Sequence, residues 1–169
     1  SIESDLVFPA VSGGDLQKFG IKSHFHVLIS QNPSKREPYN EGWLISNYPL
    51  TYAYLVQFKD VLLSRGSRVI KELAKKTSFY AMFGIGEYTF AKYRVTWKFM
   101  SSKMCAAVLS TIKTSFGSKS IVPIKTTAFI PLDEKDEAHY LCAVINSELV
   151  NDFISSFSAA GRGFGTPSV

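Results

Sequence analysis

Long apolar runs are missing from this chain, and no stretch approaches the roughly 20 apolar residues needed to cross a bilayer. No role inside a membrane is expected. The opening residues, Ser1-Ile2-Glu3-Ser4-Asp5, have neither the positive start nor the apolar middle of a signal peptide, and no initiator Met precedes them. The chain therefore reads as an internal piece of a longer, cytoplasmic protein. Cysteine is scarce: Cys105 and Cys142 form no C-x-x-C pair and sit in apolar surroundings, which predicts two buried, reduced thiols. Histidine is scarce too. His24 and His26 lie two apart on one strand face, only His139 stands elsewhere, and no Cys is near, so no metal site is expected. Repeats and long linkers are absent as well, and residues 1–169 are expected to form one domain.

What is present is ordinary in amount and uneven in distribution. The 169 residues are 46% hydrophobic and 20% charged, as in globular proteins generally. The net charge of +5 conceals a basic middle. Tyr54 to Ile130 holds 13 Lys or Arg against 3 Asp or Glu, a balance of +10, whereas Pro131 to Asp152 holds 1 against 6, a balance of −5. A basic middle of this kind suits a polyanion, because phosphate contacts supply most non-specific affinity for DNA. A merely solvated charged face is the other explanation.

Periodicity places the elements. Leu6-Val7-Phe8-Pro9 is a short apolar run leading to a Gly13-Gly14-Asp15 turn and a short helix. His24 to Ser30 alternates as a strand, Gln31 to Gly42 is an exposed loop, and Trp43-Leu44-Ile45 is read as a second short strand. Asn47-Tyr48-Pro49 opens a long helix carrying Leu55, Phe58, Leu62, Val69 and Leu73, with a kink or break at Gly66 and an end at Lys75-Lys76. Phe79 to Phe83, Tyr93 to Met100, Cys105 to Leu109 and Ser120 to Pro131 read as strands. A helix beginning at Asp133-Glu134 carries the stripe Ala138, Leu141, Cys142 and Ile145. After a break and new cap at Asn146-Ser147, the stripe continues through Leu149, Val150, Phe153, Ile154 and Phe157, and Gly161 to Gly165 ends it. Strands and helices are segregated, so the expected class is α+β: a mixed or antiparallel sheet, one long central helix and a C-terminal helical pair.

The segment from Tyr88 to Lys103 interleaves aromatic and basic residues. Lys92, Arg94 and Lys98 share parity, so on a continuous strand they point to one face, while Tyr93, Val95, Trp97 and Phe99 point to the other, the natural core face. An all-basic or small polar face, in which Arg can bridge a guanine edge, makes Lys92, Arg94 and Lys98 the first candidates for DNA contact. Tyr88, Arg68, Lys113, Lys119 and Lys125 complete the candidate set, with the Lys113 to Lys125 loop and strand as the alternative surface. Arg65 is assigned to structure, ending its helix or pairing with Asp60.

Four stretches together resemble a known family. Ile2-Glu3 with Leu6-Val7-Phe8-Pro9 and Gly13-x-Asp15, then Tyr48-Pro49-Leu50 followed by Tyr54-Leu55, Lys59, Leu62 and Arg65, then Tyr140-Leu141-Cys142-Ala143-Val144-Ile145-Asn146-Ser147, and lastly Gly161-Arg162-Gly163-Phe164-Gly165-Thr166-Pro167 look like the TaqI-like specificity domain of adenine-specific DNA methyltransferases. Ser12 departs from that pattern, which has Arg before the Gly. The resemblance implies a target-recognition domain that binds double-stranded DNA, fused to an N-terminal methyltransferase domain using S-adenosylmethionine, in a restriction–modification or phage-defence system. The family's catalytic N-P-P-Y/F signature is absent. Its nearest match, Asn32-Pro33-Ser34-Lys35, lacks the second Pro and the stacking aromatic and reads as a plain turn. Gly161-Arg162-Gly163-Phe164-Gly165 follows a helix and so reads as a C-cap, not a phosphate loop. Asp133, Glu134, Asp136 and Glu137 are explained by a solvated helix start. The piece itself is therefore expected to bind DNA, to catalyse nothing and to hold no cofactor. A protein-interaction or dimerisation module of the same system is the alternative. A stand-alone enzyme ranks last, since no nucleophile, metal or cofactor constellation appears.

Overall fold

In the computed structural model, residues 2–99, 101, 103–124 and 126–157 are described. Lys125 and the stretch Gly161 to Pro167 lie outside them. The class is α+β, with helices segregated from several small sheets. In chain order the strands are β1 (Val7–Val11), β2 (Leu16–Gln17), β3 (Gly20–Ile21), β4 (Phe25–Leu28), β5 (Gln31–Asn32) and β6 (Glu37–Pro38). Helices α1 (Glu41–Asn47), α2 (Pro49–Gln57), α3 (Lys59–Leu63) and α4 (Arg68–Lys76) follow. Strands β7 (Tyr93–Lys98), β8 (Ala106–Leu109), β9 (Thr111–Thr114), β10 (Gly117–Ser120), β11 (Val122–Pro123) and β12 (Thr127–Leu132) precede α5 (Lys135–Ile145) and α6 (Glu148–Phe157). Contacts divide the chain into two compact units, one drawn from Ser1–Val7 and Leu28–Tyr88, the other from Phe8–Val27 and Thr89–Val169. Among the described residues no helix is long and apolar enough to cross a membrane.

The first unit is mostly helical, around Leu6, Leu44, Leu55, Phe79 and Tyr80. Trp43-Leu44-Ile45 is helical, not a strand: the Asn40 side chain accepts from the Trp43 N–H at 3.2 Å and caps α1, which a three-residue apolar run could not reveal. The long central helix is in fact three. It breaks at Phe58 and again before Ser67, whose hydroxyl caps α4, with the expected interruption at Gly66 falling between α3 and α4. Among the described residues, Phe79 to Phe83 pairs with no strand. Arg65 takes the place of a ladder there, donating from Nη2 to the Phe79 carbonyl at 2.8 Å, from Nη1 to the Ala81 carbonyl at 2.9 Å, and from Nε to the Leu62 carbonyl at 2.6 Å. Its assignment to structure holds, through carbonyls instead of Asp60.

Glu3 joins the chain start to α2. Its carboxylate accepts from the backbone N–H groups of Leu50 and Thr51 at 2.9 and 2.7 Å and from the Thr51 hydroxyl at 2.6 Å, capping a helix that has Pro49 in its first turn. Desolvation opposes ionisation, yet the bonds from Thr51 and Leu50 outweigh it and pull the carboxyl from 4.5 to about 2. A carboxylate with a depressed folded pKa contributes stability that is present above its unfolded value and lost as pH falls through the folded one. Between pH 5 and 2, the natural chain should therefore lose more stability than Glu3→Gln, read as the shift in urea midpoint. Parallel curves for the two proteins would refute this role.

The second unit has a three-layer arrangement around the antiparallel sheet β12-β7-β8. Trp97 pairs with Ala128 and Ala106, and Val95 with Ile130 and Val108. One face carries Val95, with Tyr93 and Trp97, against Ala138, Cys142, Ile145 and Leu141 of α5, as the two periodicities predict. The other face carries Ala107 and Leu109 into a cluster with Val11, Leu16 and Ile121, beside the parallel pair β1–β11. Gly13 sits so close to this unit's chain that a Cβ would stand 2.7 Å from the Thr126 carbonyl oxygen, so only glycine fits. Next to it, Asp15 accepts from the Ser12 N–H and hydroxyl at 2.9 and 2.6 Å. Ser12 thus makes a local cap where the family pattern has Arg. The C-terminal helical pair forms, with Ser147 capping α6 through the Val150 N–H at 3.3 Å. The second half of its stripe does not close: Leu149 is 81% exposed and Phe153 65%, while Ile154 packs on the core. Of the two thiols, Cys142 is buried and Cys105 is only half-buried.

Candidate nucleic-acid interface

The face expected from Lys92, Arg94 and Lys98 does not form. Strand β7 is the middle strand of its sheet and is covered on both sides, so Arg94 and Thr96 are fully buried. Arg94 donates from Nη1 to the Ala91 carbonyl and from Nη2 to the Ser110 carbonyl at 3.3 Å. Its Nε is buried with no hydrogen-bond partner among the described residues, and burial pushes the guanidinium down to about 10. Alternation alone cannot distinguish a strand with one solvated face from a central strand whose long cation bends back to loop carbonyls. Lys92 precedes β7, is exposed, and lies over the Tyr93 ring at 5.5 Å; Lys98 is half-buried at the strand's end. Phe99, expected in the core, is 44% exposed.

The other candidates scatter. Arg68 is exposed at the start of α4, and Tyr88 is half-buried under the Arg36 guanidinium at 5.5 Å; both belong to the first unit. Lys125 is outside the described residues. Lys113 and Lys119, in the second unit, are brought together on one device, the β9–β10 hairpin. Its strands are joined by Ser115-Phe116, and Gly117 closes the turn at φ 109°, a backbone conformation that favours glycine. The Thr114 hydroxyl donates to the Gly117 carbonyl at 2.6 Å and fixes the tip.

The register decides what each face of this ribbon offers. Lys113 stands opposite Ser118, and Thr111 opposite Ser120, so one face is entirely hydroxyl and ammonium. Lys119 stands opposite Ile112, which anchors the ribbon on the Val11–Leu16–Leu109 cluster. The Lys119 ammonium lies 4.9 Å from the Phe8 ring centre and 5.9 Å from that of Phe116. His26 meets Phe116 at 5.3 Å, and His24 meets His26 edge-on at 5.8 Å, extending an aromatic and imidazole surface from the ribbon tip. Among the described residues, no three His, Cys, Asp or Glu side chains gather as metal ligands would. Sequence reading missed this platform because Phe8, His24, His26 and Phe116 come from three distant segments. Gly117, three residues after Thr114 and between alternating polar runs, was the one local signal of a hairpin.

Comparison with known proteins places the chain in a coarse context. No family model matches it. It is 22% identical over 155 residues to the type II methyltransferase M.NspV of Nostoc sp., a match covering 92% of this chain and 30% of that protein. The similarity to a type II methyltransferase is distant, and the chain spans about a third of that relative's length.

Proposed function

We propose that the chain is a DNA target-recognition domain, similar to the TaqI-like specificity domain. It would direct an adjoining S-adenosylmethionine-dependent, adenine-specific methyltransferase domain of the same protein to its site, within a restriction–modification or phage-defence system. The observation that carries the reading is the basic ribbon β9–β10, on which Lys113 is exposed and Lys119 half-buried. A two-stranded ribbon fits the major groove, which is about 12 Å wide. Seated there, the face of Lys113, Thr111, Ser118 and Ser120 meets backbone or base edges, and the Lys119 ammonium, on the Ile112 face, adds its charge from beside the Phe8 and Phe116 rings. The distant type II methyltransferase relative supports the same system. On this reading the chain binds no S-adenosylmethionine and transfers no methyl group, since those tasks fall to the adjoining domain.

A mobility-shift titration of the whole chain against duplex DNA tests the proposal. The expected result is weak binding whose log K falls linearly with log salt. Flat salt dependence, no binding at low salt, or stoichiometric S-adenosylmethionine binding by calorimetry would count against it. A second reading, protein contact, is favoured by the apolar residues that α5 and α6 leave in solvent: Tyr140 is 74% exposed, Leu149 81% and Phe153 65%. Concentration-dependent self-association, removed by Leu149→Ser with Phe153→Ser, would support that reading.

A further inference from the structure

An open cleft of about 400 Å³ in the first unit lies against the β5–β6 hairpin and the start of α1. Asn32, Lys35, Glu37, Asn40 and Trp43 line it. Asn32 and Glu37 are cross-strand partners, so their side chains stand side by side. The Asn32 Oδ1 already accepts from the N–H groups of Ser34 and Lys35 at 3.0 and 3.1 Å, and the Asn40 Oδ1 from that of Trp43 at 3.2 Å. Engaging both oxygens fixes the orientation of each carboxamide. It leaves two Nδ2 donors that make no hydrogen bond among the described residues. The indole of Trp43 is stacked on Tyr39 at 4.5 Å and 20°, tilted against Tyr48 at 5.5 Å, and still 41% exposed.

The cleft thus offers an aromatic wall, two amide donors, one carboxylate and one ammonium. We propose that it takes a single guanine nucleotide. Guanine presents two adjacent donors, N1–H and N2–H, that a carboxylate such as that of Glu37 accepts together. Its O6 and N7 acceptors suit the Asn32 and Asn40 amides. The phosphate, repelled by Glu37, goes to Lys35, and the base plane lies along Trp43. A simple anion would leave the carboxylate opposed and the indole unused. At about 400 Å³ the cleft is within the size range of small-ligand sites. This proposal does not rest on the ribbon, which belongs to the other unit, so duplex binding and nucleotide binding succeed or fail separately.

The chain has two tryptophans, Trp43 and Trp97, so Trp97→Phe leaves Trp43 as the only indole fluorophore. Titration with dGMP should quench it saturably, with half-saturation at or below about 1 mM. Adding Glu37→Gln should weaken dGMP at least tenfold and leave the weaker response to dAMP unchanged. A thymine oligomer holding one guanine, run beside dGMP, separates an unpaired strand guanine from the free nucleotide as the source. Calorimetry with dGMP on the unaltered chain repeats the measurement without the Trp97 change. No saturation up to about 10 mM dGMP, equal response to dAMP or to inorganic phosphate, or indifference to Glu37→Gln would each overturn the assignment.

Discussion

Replacing Asn146 by alanine should destabilise the β12-β7-β8 unit by about 3 kcal/mol, one of the largest single-residue effects expected in the chain. The side chain is 5% exposed and acts as a missing strand. Its Oδ1 accepts from the Ala106 N–H at 2.9 Å, and its Nδ2 donates to the Ala106 carbonyl at 2.8 Å. That carbonyl also accepts from the Phe19 N–H at 2.8 Å and would keep this partner in the variant. The Ala106 N–H would not, and an orphaned buried donor costs about 1–3 kcal/mol, to which the second lost bond adds about 1 kcal/mol and the cavity a further amount. For a chain of this size that is a fall in Tm of roughly 6–12 °C. Asn146→Asp distinguishes this pairing from bulk. A carboxylate keeps the acceptor for Ala106 but sets a second oxygen against the Ala106 carbonyl. Its folded pKa should then be raised above the unfolded value, so stability should be recovered as pH falls toward the unfolded carboxyl range. Ser147→Ala, which removes the α6 cap and an exposed bond to the Val144 carbonyl at 2.7 Å, should cost about 1 kcal/mol. An Asn146→Ala protein within 0.5 kcal/mol of the natural one would show that Ala106 has found another partner.

Asn146, Glu3, Arg65 and Gly13 explain why family-like motifs were legible while the placement of the candidate cations was not. Each stands in a stretch that resembles the specificity domain, and each is tied to a distant segment, so the motif marks the residue without naming its partner. Glu3 caps the helix begun by Tyr48-Pro49-Leu50, Arg65 closes the carbonyls of Phe79 and Ala81, Gly13 makes room for Thr126, and Asn146 completes the edge of β8. The helical pair and the core parity of β7 were legible for a similar reason, since a stripe spaced for α5 and an alternation spaced for β7 meet face to face. What failed depended on non-local pairing that no motif marks. Whether Arg94 sees solvent is decided by Leu109 on one side and Pro131 on the other, residues 15 and 37 positions away in the chain. The helical state of Trp43-Leu44-Ile45 depends on one cap at Asn40, and the separate start of α4 on the Ser67 hydroxyl. The ribbon's aromatic platform needs Phe8, His26 and Phe116 in one place, which no window of sequence contains.

With Lys113 and Lys119 both changed to glutamine, duplex affinity near 0.1 M salt should fall roughly sixtyfold. Each phosphate contact contributes about 0.9 to the slope of log K against log salt, so a contact is worth about eightfold one decade below 1 M, and two multiply. The slope itself should shrink by about 1.8, and the two proteins should converge as salt approaches 1 M. Folding should survive. Lys113 is exposed, where substitutions usually stay within about 0.5 kcal/mol, and Lys119 gives up its place over Phe8 and Phe116, a contact worth about 0.5–1 kcal/mol. Lys119→Arg keeps both the charge and the ring contact and should bind nearly as the natural chain does. The counter-test is Lys92→Gln with Lys98→Gln, the two members of the sequence-expected face that are not fully buried. Arg94 is left out of it, because changing a fully buried cation confounds binding with folding. A larger loss from Lys92 and Lys98 than from Lys113 and Lys119 would move the interface from the ribbon to the end of β7. An unchanged slope in both pairs would remove the phosphate-contact argument, and with it the observation on which the DNA-recognition reading stands.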